Sequence, residues 1–88
     1  MLRTRLLGMT STPQELTFDD AVDNPNALSI QNVSDSKYAY LGNELVSPTN
    51  YGHRLYPGQT FSIELLPNDK IYAVGEDGCT LAVFIIEQ

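Results

Sequence analysis

The sequence predicts an all-β fold: a small antiparallel β-sandwich, jelly-roll-like, with an extended N-terminal arm. Three observations carry that expectation. Thr60-Phe61-Ser62-Ile63-Glu64-Leu65 alternates strictly, with Phe61, Ile63 and Leu65 on one side, the period of a half-buried strand. Clusters of Pro, Gly, Asn and Asp cut the chain into short pieces, and short strands separated at such intervals read as a sandwich or small barrel. Helix signals are nearly absent. With 88 residues the chain holds one domain and a thin core, since a domain of this size buries only roughly 60–65% of its unfolded surface.

Taken in order, the first piece is the odd one. Leu2, Leu6 and Leu7 are apolar and Arg3 and Arg5 basic, but the stretch is too short and too uncapped for a self-sufficient helix. It is read as an arm, residues 1–14, ahead of a β-sandwich domain, residues 15–88. Extended, such an arm reaches roughly 45 Å. Gly8, Thr10, Ser11 and Thr12 interrupt the apolar run that a secretory signal requires. The expected site of synthesis is therefore the cytoplasm, where Asn32-Val33-Ser34 is a chance sequon.

A short strand is expected over Glu15–Phe18, then a breaker at Asp23-Asn24-Pro25-Asn26. Leu28 to Val33 alternates weakly. Tyr38–Leu41 and Glu44–Val46 are further short strand candidates. Tyr56-Pro57-Gly58-Gln59 fits a type II turn, with proline setting φ at the second position and glycine supplying positive φ at the third. Leu66-Pro67-Asn68-Asp69 ends the alternating strand, because proline donates no ladder hydrogen bond. Lys70–Val74 is β-prone, and Glu76-Asp77-Gly78-Cys79 reads as a hairpin turn. Thr80 to Ile86 is apolar on both faces, so it should lie centrally or be covered on both sides. The expected core includes Phe61, Ile63, Leu65, Ile71, Leu81, Val83 and Ile85.

Five basic and eleven acidic residues give a formal net charge of −6, which opposes nucleic-acid binding. No apolar run approaches the roughly 18 residues of a membrane span. A single cysteine, Cys79, and a single histidine, His53, exclude a disulfide framework and clustered imidazole or thiolate metal sites. No cofactor and no catalytic residue are expected. His53 is the sole imidazole base, no Gly-x-Ser-x-Gly elbow is present, and a surface or loop position is the expected place for His53. Asp19, Asp20, Asp23 and Asn24 lack EF-hand spacing and read as a solvated loop. Gly75 and Gly78 flank an acidic pair that would repel phosphate. The tyrosines Tyr38, Tyr40, Tyr51, Tyr56 and Tyr72 suit rim packing, interface anchoring or stacking on sugar rings; the first four are the candidate interface aromatics.

A family resemblance adds to this. Its residues are Leu28-Ser29-Ile30-Gln31-Asn32-Val33-Ser34, Tyr40-Leu41-Gly42, Tyr51 through Gln59, Phe61-Ser62-Ile63-Glu64-Leu65, Asp69-Lys70-Ile71-Tyr72-Ala73-Val74 and Thr80-Leu81-Ala82-Val83. Together they resemble the small β-domains of tailed-bacteriophage virion proteins, most of all minor capsid or head decoration proteins, over roughly residues 28–86. The resemblance implies a non-enzymatic decoration (cement) protein on the capsid exterior, partnered by the major capsid protein and by itself as a homotrimer. The alternative expectation is a tail-fibre or baseplate module that binds a receptor or glycan. Contact with the capsid or a neighbouring subunit is expected from the arm, through Leu2, Arg3, Arg5, Leu6 and Leu7.

Overall fold

A computed structural model describes residues 2–16, 26–66 and 69–87, and for Leu2, Arg3, Asn26 and Glu87 the backbone alone. The acidic group at 19–24, the breaker at 23–25 and Phe18 lie outside these residues. Among the described residues eight strands follow one another: β1 (Leu2–Gly8), β2 (Gln14–Glu15), β3 (Asn26–Asn32), β4 (Ala39–Gly42), β5 (His53–Leu55), β6 (Thr60–Leu65), β7 (Tyr72–Gly75) and β8 (Thr80–Glu87). They form two four-stranded sheets, ordered β1-β8-β3-β6 and β2-β7-β4-β5, and every pairing is antiparallel. After the β4–β5 hairpin the chain crosses between the sheets at each step, which is jelly-roll topology.

The core lies between the sheets. Leu28, Ile30, Leu81, Val83 and Ile85 enter it from the first sheet and Leu41, Leu55 and Ala73 from the second. Met9, Leu16, Ile71 and Cys79 join them from the connecting segments. Of the expected core residues, Leu65, Ile71, Leu81, Val83 and Ile85 are buried, while Phe61 and Ile63 are half-buried against the same cluster. The difference has a cause: β6 is an edge strand of its sheet.

Asn32 is the one buried polar residue among the described residues, at 0% exposure. Its Nδ2 donates to Lys37 O at 2.7 Å and to Leu55 O at 3.1 Å. Its Oδ1 accepts from Ser34 N at 3.0 Å and Ser34 Oγ at 2.6 Å, with Cys79 Sγ at 3.6 Å. Its backbone pairs with Gln59 O and Gly58 N. One side chain therefore ties β3 of the first sheet to β5 and the β3–β4 connection of the second.

Four expectations are corrected. The leading segment is not an arm apart from the body: Leu2–Gly8 runs along β8 with seven residues in register, and Met9 is buried at 3% exposure. Pairing satisfies backbone groups that an extended segment would leave to water. Glu44–Val46 is a turn rather than a strand, because Asn43 Oδ1 accepts from Leu45 N at 2.9 Å and Asn43 O from Val46 N at 3.0 Å. The turn at Glu76–Cys79 exists, closed by Cys79 N donating to Glu76 O at 3.0 Å. It joins strands of different sheets, however, and makes no hairpin. His53 is in β5, half-buried, rather than in a surface loop. The turn at Tyr56–Gln59 is as expected, with Gly58 at φ 79° and Gln59 N donating to Tyr56 O at 3.0 Å.

Candidate interaction surface

Strand β8 is central, as its two apolar faces require, yet only one face is covered. Leu81, Val83 and Ile85 point into the core. Phe84 and Ile86 point outward and stay 41% and 45% exposed. Antiparallel pairing places Leu6 opposite Ala82 and Thr4 opposite Phe84 on one side. On the other, Ser29 faces Phe84 and Ala27 faces Ile86. Leu6, 70% exposed, thereby joins Phe84 and Ile86 in one apolar strip across two neighbouring strands.

The strip stands above small residues. Ser29 and Ala82 leave Phe84 as a ridge between two shallow hollows of about 490 and 400 Å³. Glu64 is the ionisable residue that the described strands turn toward this face beside the second hollow, and Arg5 stands at the rim of the first. An apolar strip of Leu6, Phe84 and Ile86 bordered by Thr4, Ser29, Gln31, Thr60 and Ser62, with little charge on a chain of net charge −6, has the apolar centre and polar surround of a protein–protein interface.

The arm residues divide accordingly. Leu6 lies on the exposed face. Leu7 is half-buried against the core, so it supplies no contact surface, and Arg5 has the same strand parity as Leu7. Leu2 and Arg3 pair through their backbones with Ile86 and Ile85.

The outer side of the second sheet gathers the tyrosines. Tyr38 and Tyr56 have ring centroids 5.3 Å apart, and Tyr40 and Tyr51 5.0 Å apart. Arg54, opposite Tyr40 in the β4–β5 register, lies 4.8 Å from the Tyr56 ring and 5.7 Å from the Tyr38 ring. It also donates to the Tyr56 hydroxyl, which raises the guanidinium pKa. Arg54 went unmarked in the sequence, although its i, i+2 spacing to Tyr56 already puts the two on one strand face.

His53 stacks on Phe61 at 4.5 Å, linking the edge strands β5 and β6 of the two sheets, and its buried Nε2 has no hydrogen-bond partner. Among the described residues no three His, Cys, Asp or Glu gather as a metal site. Cys79 is 1% exposed, and burial pushes its thiol pKa up, against a lowering by the Ser34 hydroxyl. At pH 8 Cys79 should react with a disulfide reagent at least about 100-fold more slowly than free cysteine and rapidly once unfolded, measured by thiol titration with and without guanidinium.

No family model and no curated protein sequence matches the chain. Among solved structures, a chain from Bacillus endospore appendages, described as a novel family of disulfide-linked pili, is similar with a TM-score of 0.55 and 12% identity. The match covers 99% of this chain and 85% of that one. At that identity the likeness is one of fold: a small all-β sandwich.

Proposed function

We propose that this chain is a non-enzymatic structural protein of a tailed-phage virion. It decorates the outside of the head by binding the major capsid protein. One observation carries the reading of an assembling subunit: the central strand β8 presents Phe84 and Ile86, with Leu6 beside them, on an uncovered sheet face. The phage setting rests on the resemblance over residues 28–86. The similar fold in endospore pili supports use of such a sandwich in assemblies. The covalent linkage of those pili does not carry over, because Cys79 is buried.

Contact through a pre-formed sheet face is better founded than a clasping arm. Ordering a free arm costs about 1–2 kcal/mol per residue for the backbone, a cost that β1 has already met on pairing with β8. Covering Leu6, Phe84 and Ile86 is worth roughly 3–6 kcal/mol before association costs. That is weak for one copy and sufficient for a homotrimer on a repeating shell.

Phe84→Glu tests this at an exposed position, where the fold tolerates charge. The variant should melt within a few degrees of the parent and occupy undecorated heads at least about tenfold less, measured by co-sedimentation. Unchanged occupancy by the folded variant would refute attachment through this face.

A further inference from the structure

The outer side of the second sheet carries chemistry of another kind, and we propose that it binds an acidic sugar: a pyranose ring bearing a carboxylate. The site is the small pocket beside Tyr51, together with the Arg54 guanidinium. It is independent of the apolar face on the opposite sheet.

The pocket, about 250 Å³, is lined by Gly42, Asn43, Asn50, Tyr51 and Gly52. Its walls come from the β4–β5 connection, which its own hydrogen bonds hold in shape. Asn43 Oδ1 accepts from Leu45 N at 2.9 Å, and Asn50 Nδ2 donates to Leu45 O at 3.3 Å. Ser47 and Asn50 exchange backbone bonds of 2.8 and 3.1 Å, and Gly52 N donates to Leu41 O at 2.8 Å. Beneath the connection Val46 is buried beside Gly42. A pre-formed wall spares a ligand the cost of ordering it.

Those bonds leave complementary groups over. The amide nitrogen of Asn43 and the amide oxygen of Asn50 have no hydrogen-bond partner among the described residues. One is a donor and the other an acceptor, which is what vicinal hydroxyls need. Tyr51, 43% exposed and backed by Tyr40, supplies an aromatic wall for the apolar C–H face of a sugar ring.

Arg54 selects the charge. It has no carboxylate partner among the described residues, although acidic residues outnumber basic ones in this chain eleven to five. Tyrosine rings and one tyrosine hydroxyl hold the guanidinium instead, and Arg54 stands opposite Tyr40, whose ring centroid lies 5.0 Å from that of Tyr51. Its remaining N–H groups form a fork that matches a carboxylate. An acidic peptide would use the fork but neither the pocket nor its paired amide groups.

The intact chain, isotopically labelled, would be titrated by NMR with methyl β-D-glucuronide and with methyl β-D-glucoside. The glucuronide should bind with a Kd of about 1 mM, shifting the amides of Asn43, Asn50, Tyr51 and Gly52 and the Arg54 side chain. The glucoside should bind about tenfold more weakly. Arg54→Gln should bring the glucuronide to the glucoside's affinity, and Tyr51→Ala should weaken both sugars. Equal affinities for the two sugars, shifts centred elsewhere, or a tetraglutamate peptide binding as tightly as the glucuronide would each overturn the proposal. The titration uses no heads, so its failure leaves attachment through Phe84 untouched, and the reverse holds equally.

Discussion

Replacing Asn32 by leucine is expected to lower folding stability by about 3–5 kcal/mol, the largest effect of any single substitution considered. Leucine fills nearly the same space but leaves the carbonyls of Lys37 and Leu55 without the Nδ2 donors that reach them at 2.7 and 3.1 Å. It also removes the acceptor of the Ser34 backbone N–H. The Leu55 carbonyl is buried and loses its donor, whereas the Lys37 carbonyl keeps Ser34 Oγ at 2.9 Å. Asn32→Asp separates charge from shape. A carboxylate facing two carbonyls is destabilised, so its folded pKa must rise above the unfolded value of roughly 3.9. An acid whose folded pKa is raised loses stability as pH climbs from the unfolded to the folded value. The variant should thus be closest to the parent near pH 4 and fall further behind toward pH 7, as followed by urea denaturation across that range. A loss below about 1 kcal/mol for Asn32→Leu would show that water takes over the hub.

Gly75→Val should cost about 2–4 kcal/mol by overpacking. A β-carbon at Gly75 would stand 2.6 Å from Met9 Cβ and 2.9 Å from Met9 Cγ, with Tyr38 O at 3.3 Å. The nearest atom, Met9 Cβ, is fixed by the backbone, so a rotamer change can move Cγ but not Cβ. Nor is the Met9 backbone free to retreat. Its N–H donates to Cys79 O at 2.8 Å, and Gly75 N donates to Thr10 O at 3.0 Å. Combining Gly75→Val with Met9→Gly should recover part of the loss, giving a coupling energy of at least about 1 kcal/mol in a double-mutant cycle. Additive losses would place the clash elsewhere.

Local pattern made some of this legible and tertiary pairing hid the rest. The alternation of Phe61, Ile63 and Leu65 identifies β6 directly, since period two is a property of one strand alone. The two-sided apolar character of Thr80–Ile86 marks the central position of β8; that Phe84 and Ile86 stay exposed on its outer face depends on what packs there, which the pattern of one strand does not contain. The leucines near the start looked like a free arm because the partner of β1 lies some eighty positions away, and nothing in Leu2–Gly8 names β8. Asn32 falls in step with Leu28 and Ile30 in the weak alternation of Leu28 to Val33. Its role depends on carbonyls of Lys37 and Leu55 that only folding brings together. The tyrosines were noticed for their chemistry, but Arg54 took meaning only from the register that sets it opposite Tyr40.

The position of β8 also governs the order of assembly during synthesis. Of the eight described strands it is the last to leave the ribosome, yet it lies between β1 and β3, so the first sheet cannot close until all four of its strands have emerged. Until then β1 has no neighbour in its sheet, and the inward side chains of β3 and β6 have nothing from β8 to pack against. Pairings this distant in sequence close slowly, and all-β domains dominated by them fold in milliseconds to seconds rather than microseconds. During that interval the nascent chain shows its apolar strands to other copies being made nearby, which favours a chaperone's attention or mutual trapping. Production at reduced temperature, with fewer chains waiting at once, follows as the practical remedy.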